Sequence, residues 1–112
     1  MNVNRLENFV GGWFVGNFTP SLLKSTAFEV AIKRYKARDR EQSHHHNIAT
    51  EFTAIIDGEV AINGIHYVSG DIITIDPKES AQFTALTDVV TCVVKSPSVK
   101  NDKFIDYDTD LT

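Results

Sequence analysis

The residues of this 112-residue chain that could carry out chemistry are concentrated in one segment, Ser43-His44-His45-His46-Asn47-Ile48-Ala49-Thr50-Glu51. On an extended chain, side chains at positions i and i+2 point the same way, so His44 and His46 share a face and His45 takes the other. Two imidazoles and the Glu51 carboxylate form a set that binds divalent iron, manganese, zinc, nickel or cobalt and leaves coordination positions open. A His-x-His pair also occurs in surface loops, so the surrounding elements must show whether this pair is a metal site or a surface segment.

The elements around this cluster are predicted to be β-strands. From Ala27 onward the apolar residues recur at every second position, and the runs are separated by turn residues, which is typical of an all-β chain. Asn63-Gly64 between alternating apolar residues predicts a hairpin, because a type I′ turn needs positive φ at both central positions. A charged loop is predicted over 36–43, and strands over 27–35, 48–56, 60–62, 65–68, 71–76, 83–86 and 89–95.

The order of these residues resembles the cupin superfamily. His44-x-His46-x4-Glu51-x6-Gly58 is similar to the first cupin motif, and Gly70-x5-Asp76-Pro77 to the opening of the second, with a hairpin between them. The resemblance implies a double-stranded β-helix, or jelly-roll barrel, and one small standalone domain over 1–112. Its core would span about 27–95, with an N-terminal arm over 1–26 and a C-terminal extension over 96–112. It also implies that His44, His46 and Glu51 are metal ligands inside the barrel.

The second motif departs from the cupin pattern at the fourth ligand. Gln82 stands where the third histidine of the family is expected, and Glu79 replaces a glycine. A glutamine offers only a neutral carbonyl oxygen, which is a weaker ligand for transition metals than imidazole. We therefore take Gln82 as a weak fourth ligand. A one-residue slip in register would bring Glu79 toward the site instead, and a contribution from His45 also stays open.

The resemblance leaves several functions open. One is metal-assisted isomerisation or oxygenation of a small sugar-like or acid-like molecule in the barrel, with Tyr35 or Lys95 moving protons. The alternative is a non-catalytic protein that binds a small ligand with or without metal, and a weaker third possibility is a structural oligomer. Because cupin folds host many unrelated reactions, the fold does not choose among them.

Composition disfavours two other classes of partner. The chain has 11 Lys+Arg against 15 Asp+Glu, a net charge of −4, and no basic run longer than Lys33-Arg34. This charge disfavours nucleic acid and anionic membranes. Cys92 is the only cysteine, so an intramolecular disulfide is impossible, and a cytoplasmic setting is expected because no signal peptide or membrane span is recognisable.

The two ends of the chain have different predicted roles. The N-terminal arm concentrates Phe9, Trp13, Phe14 and Phe18, which are expected to pack on the barrel or on a neighbouring subunit, and we expect a homodimer. The segment Asp102-Lys103-Phe104 is interpreted as a solvated surface segment. The last few residues of the C-terminal extension are expected to be loosely ordered.

Overall fold

The computed structural model describes residues 1–107, and this part of the chain is built almost entirely of strands. Two single-turn 3₁₀ helices, Leu6–Asn8 and Val10–Gly12, precede the first strand. The strands are β1 (Trp13–Val15), β2 (Glu29–Tyr35), β3 (Arg40–His45), β4 (Thr50–Asp57), β5 (Glu59–Ile62), β6 (Ile65–Val68), β7 (Ile72–Ile75), β8 (Ala81–Ala85), β9 (Val89–Ser96) and β10 (Phe104–Ile105).

The strands form two antiparallel five-stranded sheets that face each other. The first has the order β1-β2-β9-β4-β7 and the second the order β10-β3-β8-β5-β6. Apolar side chains from both sheets meet in one core, namely Ile55, Val60, Ile62, Ile75, Ala81, Phe83, Ala85 and Val89. The predicted all-β, double-stranded β-helix class is confirmed, although the two sheets do not close into a continuous barrel.

The predicted hairpin is present between β5 and β6. Ile62 pairs with Ile65, and the two residues between them, Asn63 and Gly64, have φ values of 51° and 78°. Positive φ at both central positions is what a type I′ turn requires. Local turn chemistry therefore sets the register of this hairpin.

The prediction of a loop over 36–43 is wrong for its second half. Residues Arg40–His45 form β3, which pairs with β8 and with β10. The sequence Arg-Glu-Gln-Ser-His-His has no apolar alternation, so its strand conformation depends on its neighbours and not on its own pattern. The pairing with β8 shifts between Glu41 and His44, and this irregularity lets both side chains face the space between the sheets.

Both ends of the described chain add edge strands from outside the predicted core. β1, in the aromatic arm, pairs with β2, and β10 pairs with β3 beside the histidines. The arm therefore packs on its own sheet. The expectation of loose order at the C-terminus falls on residues 108–112, which lie outside the described residues.

Helices in the described chain are single turns, and none has the length and apolar character needed to span a membrane.

Candidate metal centre and cavity

A cavity of about 100 Å³ lies between the two sheets, and the histidine cluster forms part of its wall. His44, His46 and Glu51 line it, and they offer one ligand atom each within 4.8 Å of one another. The two imidazole rings are 5.3 Å apart between centroids and nearly perpendicular. Nδ1 of His46 lies 3.9 Å from Oε1 of Glu51. The structure thus brings together the three residues that the sequence singled out as ligands.

Hydrogen bonds orient two of these three side chains. Nδ1–H of His44 donates to the carbonyl oxygen of Gln42 at 3.0 Å, which leaves Nε2 with a free lone pair. The hydroxyl of Thr53 donates to Oε2 of Glu51 at 2.7 Å, so Oε1 is left for another partner. Such bonds fix the tautomer and direction of metal-ligating groups.

Asp102 anchors the turn that carries His46. Its carboxylate accepts hydrogen bonds from the backbone N–H groups of Asn47, Ile48 and Ala49 at 3.0 to 3.2 Å. Burial raises the pKa of this carboxyl, but the three N–H donors outweigh burial and hold the pKa below its usual value. The interpretation of Asp102 as part of a solvated segment is therefore wrong, because it is buried and shapes the site from about fifty residues away.

His46 is buried and stays neutral well into the acidic range. Burial lowers its pKa to about 4, and the nearby charges of Lys95 and His44 act in the same direction. The ammonium of Lys95 lies 3.3 Å from Nε2 of His46 and 3.3 Å from Oε2 of Glu29. A neutral imidazole is the form that binds a metal ion, and the Lys95 ammonium lies within hydrogen-bonding distance of it.

The two residues predicted to move protons both line the cavity. The hydroxyl of Tyr35 donates to Oε2 of Glu41 at 3.2 Å, and burial together with the Glu41 carboxylate raises the pKa of Tyr35 far above its ordinary value. Tyr35 therefore keeps its proton at neutral pH and cannot act as a base there. Lys95 is held in an ion pair with Glu29, and the placement of Tyr35 and Lys95 leaves their roles as predictions.

Comparison with known proteins identifies the fold. No family model and no curated protein matches the chain, but many solved structures do. An uncharacterized conserved protein with a double-stranded β-helix domain from Klebsiella pneumoniae is 21% identical, with a TM-score of 0.65 over 75% of this chain and 78% of that one. KdgF from Halomonas sp. is 15% identical, with a TM-score of 0.62 over 69% and 74% of the two chains.

A third structure bears the family name. A sugar phosphate isomerase from a cupin superfamily, from Silicibacter pomeroyi, is 22% identical and has a TM-score of 0.58 over 62% of this chain and 50% of that one. The chain has the cupin fold. The resemblance deduced from the two sequence motifs thus holds for the architecture.

The cupin fold places the fourth predicted ligand away from the cavity. Ala81, Phe83 and Ala85 of β8 point into the core, whereas Gln82 points outward. Its amide nitrogen donates to the carbonyl oxygens of Glu41 and Phe83 at 3.1 and 2.8 Å. The structure therefore does not bring Gln82 to the histidines, and the inward position directly opposite His44 is Ala81.

The other two open candidates also lie elsewhere. Oε1 of Glu79 accepts a hydrogen bond from the backbone N–H of Asp76 and stabilises an exposed turn. His45 contacts Asp106 at 2.7 Å through Nδ1, and its ring stacks on Phe104 with 5.5 Å between centroids. Neither residue lines the cavity.

The donor set of this cupin fold suits a divalent metal ion. Two imidazoles and one carboxylate are ligand types that zinc, iron, nickel and manganese take in proteins. His46 is neutral, and the hydrogen bond from Nδ1 of His44 leaves its Nε2 available as a ligand. The opposing feature is the Lys95 ammonium beside Nε2 of His46, which would have to turn toward Glu29, its second partner.

The metal-free protein is expected to lose stability as the pH falls from about 6.5 to about 4. In the unfolded chain His46 takes up a proton near the ordinary histidine pKa of 6.5, whereas the folded residue does so only near 4, so acid favours the unfolded state over that interval. The loss is about 3 kcal/mol in total and levels off below pH 4. Denaturant titrations of wild type and His46→Gln across this pH range measure the loss. If the free energy of unfolding depends on pH in the same way in both proteins, His46 is not the group responsible.

Proposed function

We propose that this protein is a metal-dependent cupin enzyme that acts on a small polar molecule in the cavity between its sheets. The observation that carries the proposal is the convergence of His44, His46 and Glu51 on one point of the cavity wall. When bound there, a divalent ion supplies a Lewis acid that polarises an oxygen of the bound molecule. Three protein ligands leave coordination positions for such a molecule.

The remaining wall provides groups that would hold the molecule. The Tyr35 hydroxyl, hydrogen-bonded to Glu41, and the Lys95 ammonium, paired with Glu29, would donate hydrogen bonds to it. Apolar side chains complete the lining, namely Ile62, Ile75 and Phe83, and they restrict access of water. Isomerisation, the activity named for one structural neighbour, is one reaction class that such a site would serve, and oxygenation is the other.

Calorimetric titration of the metal-free protein with manganese, iron, nickel and zinc salts tests the proposal. We expect one ion per chain, with an affinity that depends on the histidines. Absence of uptake of every ion would contradict a metal-dependent enzyme.

A non-catalytic, ligand-binding cupin is the second candidate. It is favoured by two observations: Ala81 occupies the inward position opposite His44, and the Lys95 ammonium already contacts His46. Denaturing mass spectrometry of the untagged, purified protein separates the two functions. A small molecule that co-purifies with metal-free protein supports the binding role.

We also propose that the protein is a homodimer formed through the outer face of the first sheet. Two rows of uncharged residues cross β2, β9, β4 and β7 on this face. One row consists of Val30, Val94, Phe52 and Thr74, and the other of Ile32, Cys92, Ala54 and Ile72. Phe52 and Ile72 are 39% and 69% exposed. An apolar patch of this kind is complementary to a second copy of itself across a two-fold axis.

Light scattering at tens of micromolar tests this assembly. We expect a dimer for wild type and a monomer for Ile72→Glu, because a buried unpaired carboxylate opposes association. Ile65→Glu is the matched control, since Ile65 is 57% exposed on the other sheet and its replacement is expected to leave the dimer intact. A monomeric wild type would overturn the proposal.

A further inference from the structure

Three lysines line the same cavity from separate elements. Lys33 lies on β2, Lys95 on β9, and Lys103 directly before β10. Lys95 is neutralised by Glu29 at 3.3 Å. Within residues 1–107, neither Lys33 nor Lys103 forms an ion pair with a carboxylate. Two ammonium groups on this wall therefore have no anionic partner among the described residues.

The direct contacts of Lys33 are all with neutral groups. Its ammonium is half-buried and has only neutral partners, the carbonyl oxygen of Gly11 at 3.2 Å and the face of the Trp13 ring at 5.2 Å from the centroid. Burial lowers the pKa of Lys33, the nearby Lys103 and Lys95 charges lower it further, and the Glu41 and Glu51 carboxylates act in the opposite direction.

The two carboxylates that face these lysines already have other partners. Glu41 accepts the Tyr35 hydroxyl, and Glu51 accepts the Thr53 hydroxyl and belongs to the metal cluster. Both keep their negative charge, so they balance Lys33 and Lys103 across the metal-free cavity without pairing directly with either ammonium. A divalent ion at the cluster would make the cavity net positive, and a partly desolvated ammonium without a direct ion-pair partner attracts an anion.

We propose that the molecule bound in this cavity is a small anion, with a carboxylate or phosphate group held between Lys33 and Lys103. The inference rests on the proposed function, since it assigns the ligand class of the same cavity. The volume of about 100 Å³ restricts the ligand to a few heavy atoms beyond its charged group, and the apolar wall of Ile62 and Phe83 faces its uncharged part. The anionic group is the feature that a neutral sugar lacks.

Trp13 is a built-in reporter for this ligand. It is the only tryptophan of the chain, it lines the cavity, and the Lys33 and Lys95 ammonium groups lie 5.2 and 4.8 Å from its ring centroid. An anion that draws the Lys33 ammonium from the ring changes a cation–π contact and hence the fluorescence of Trp13.

Fluorescence and calorimetric titrations of the full chain with malonate, inorganic phosphate and uncharged malonamide test the proposal. We expect saturable binding of malonate or phosphate and none of malonamide, and the better anion identifies the preferred group. Lys33→Met and Lys103→Met are each expected to weaken that binding by about tenfold, because each removes a charge-assisted hydrogen bond. Lys24→Met is the matched control, since Lys24 is exposed, away from the cavity, and carries the same charge.

Both titrations are made with metal-free and metal-loaded protein, so that the two proposals fail separately. Anion binding without metal uptake supports the ligand class and contradicts the metal-dependent enzyme. Metal uptake with no binding of either anion, or with equal binding of malonamide, overturns the ligand class. Loss of anion binding in Lys24→Met to the same degree as in Lys33→Met also overturns it, because the effect would then come from net charge.

Discussion

Replacement of His46 by alanine is expected to lower the affinity for a divalent metal ion by more than about a hundredfold. The side chain is buried in the cavity wall, and it is one of only three ligands that the described residues bring together. Loss of a residue that only hydrogen-bonds to a metal ligand lowers metal affinity roughly 10- to 100-fold, so loss of the ligand itself lowers it more. Calorimetric titration of metal-free wild type and variant measures the difference.

The neighbouring histidine provides the control for this experiment. His45 points away from the cavity and contacts Asp106 and Phe104, so His45→Ala is expected to keep the metal affinity of wild type. Equal affinity losses in His45→Ala and His46→Ala would show that the ion binds to a histidine-rich surface and not to the cavity. Wild-type metal affinity in both variants would show that the His46 side chain is not a ligand.

A fourth ligand is expected to form when histidine replaces Ala81, and not when it replaces Gln82. Ala81 is the direct cross-strand partner of His44, so a side chain at position 81 lies on the same face and within ligand distance of it. We expect Ala81→His to tighten metal binding by at least about tenfold, which corresponds to roughly 1.4 kcal/mol. Thermal unfolding of the metal-free variant checks that the larger side chain is accommodated.

Gln82→His is the matched comparison, because it adds the same imidazole one residue along the strand. Position 82 points to the outer side of the sheet, where its amide is bonded to the backbone of Glu41 and Phe83. Its metal affinity is expected to equal that of wild type. Tighter binding in Gln82→His than in Ala81→His would mean that β8 presents its other face to the cavity.

The error at Gln82 is an error of one residue in register. The motif spacing locates the strand correctly, but side chains alternate with a period of two, so a shift of one residue exchanges the inner and outer faces. The pairing of His44 with Ala81 shows which residue faces inward. The alternation of apolar Ala81, Phe83 and Ala85 with polar Gln82 and Thr84 is a local signal for the same register, and the prediction for Gln82 rests on the motif spacing instead of this alternation.

Two further features depend on contacts that are distant along the chain. β3 has no apolar alternation, and it is a strand because β8 and β10 flank it. Asp102 shapes the turn after His46 through three backbone bonds across more than fifty residues. By contrast, the hairpin at Asn63-Gly64 and the shared face of His44 and His46 follow from local geometry, and both could be predicted.

Anomalous diffraction from crystals soaked with manganese or nickel, recorded on both sides of the absorption edge of the metal, tests the central claim most directly. One peak per chain is predicted in the cavity, within ligand distance of His44, His46 and Glu51, with the Lys95 ammonium turned toward Glu29. A metal peak elsewhere on the chain, or none in crystals of protein that binds the ion in solution, would contradict the assignment of this cluster as the metal centre.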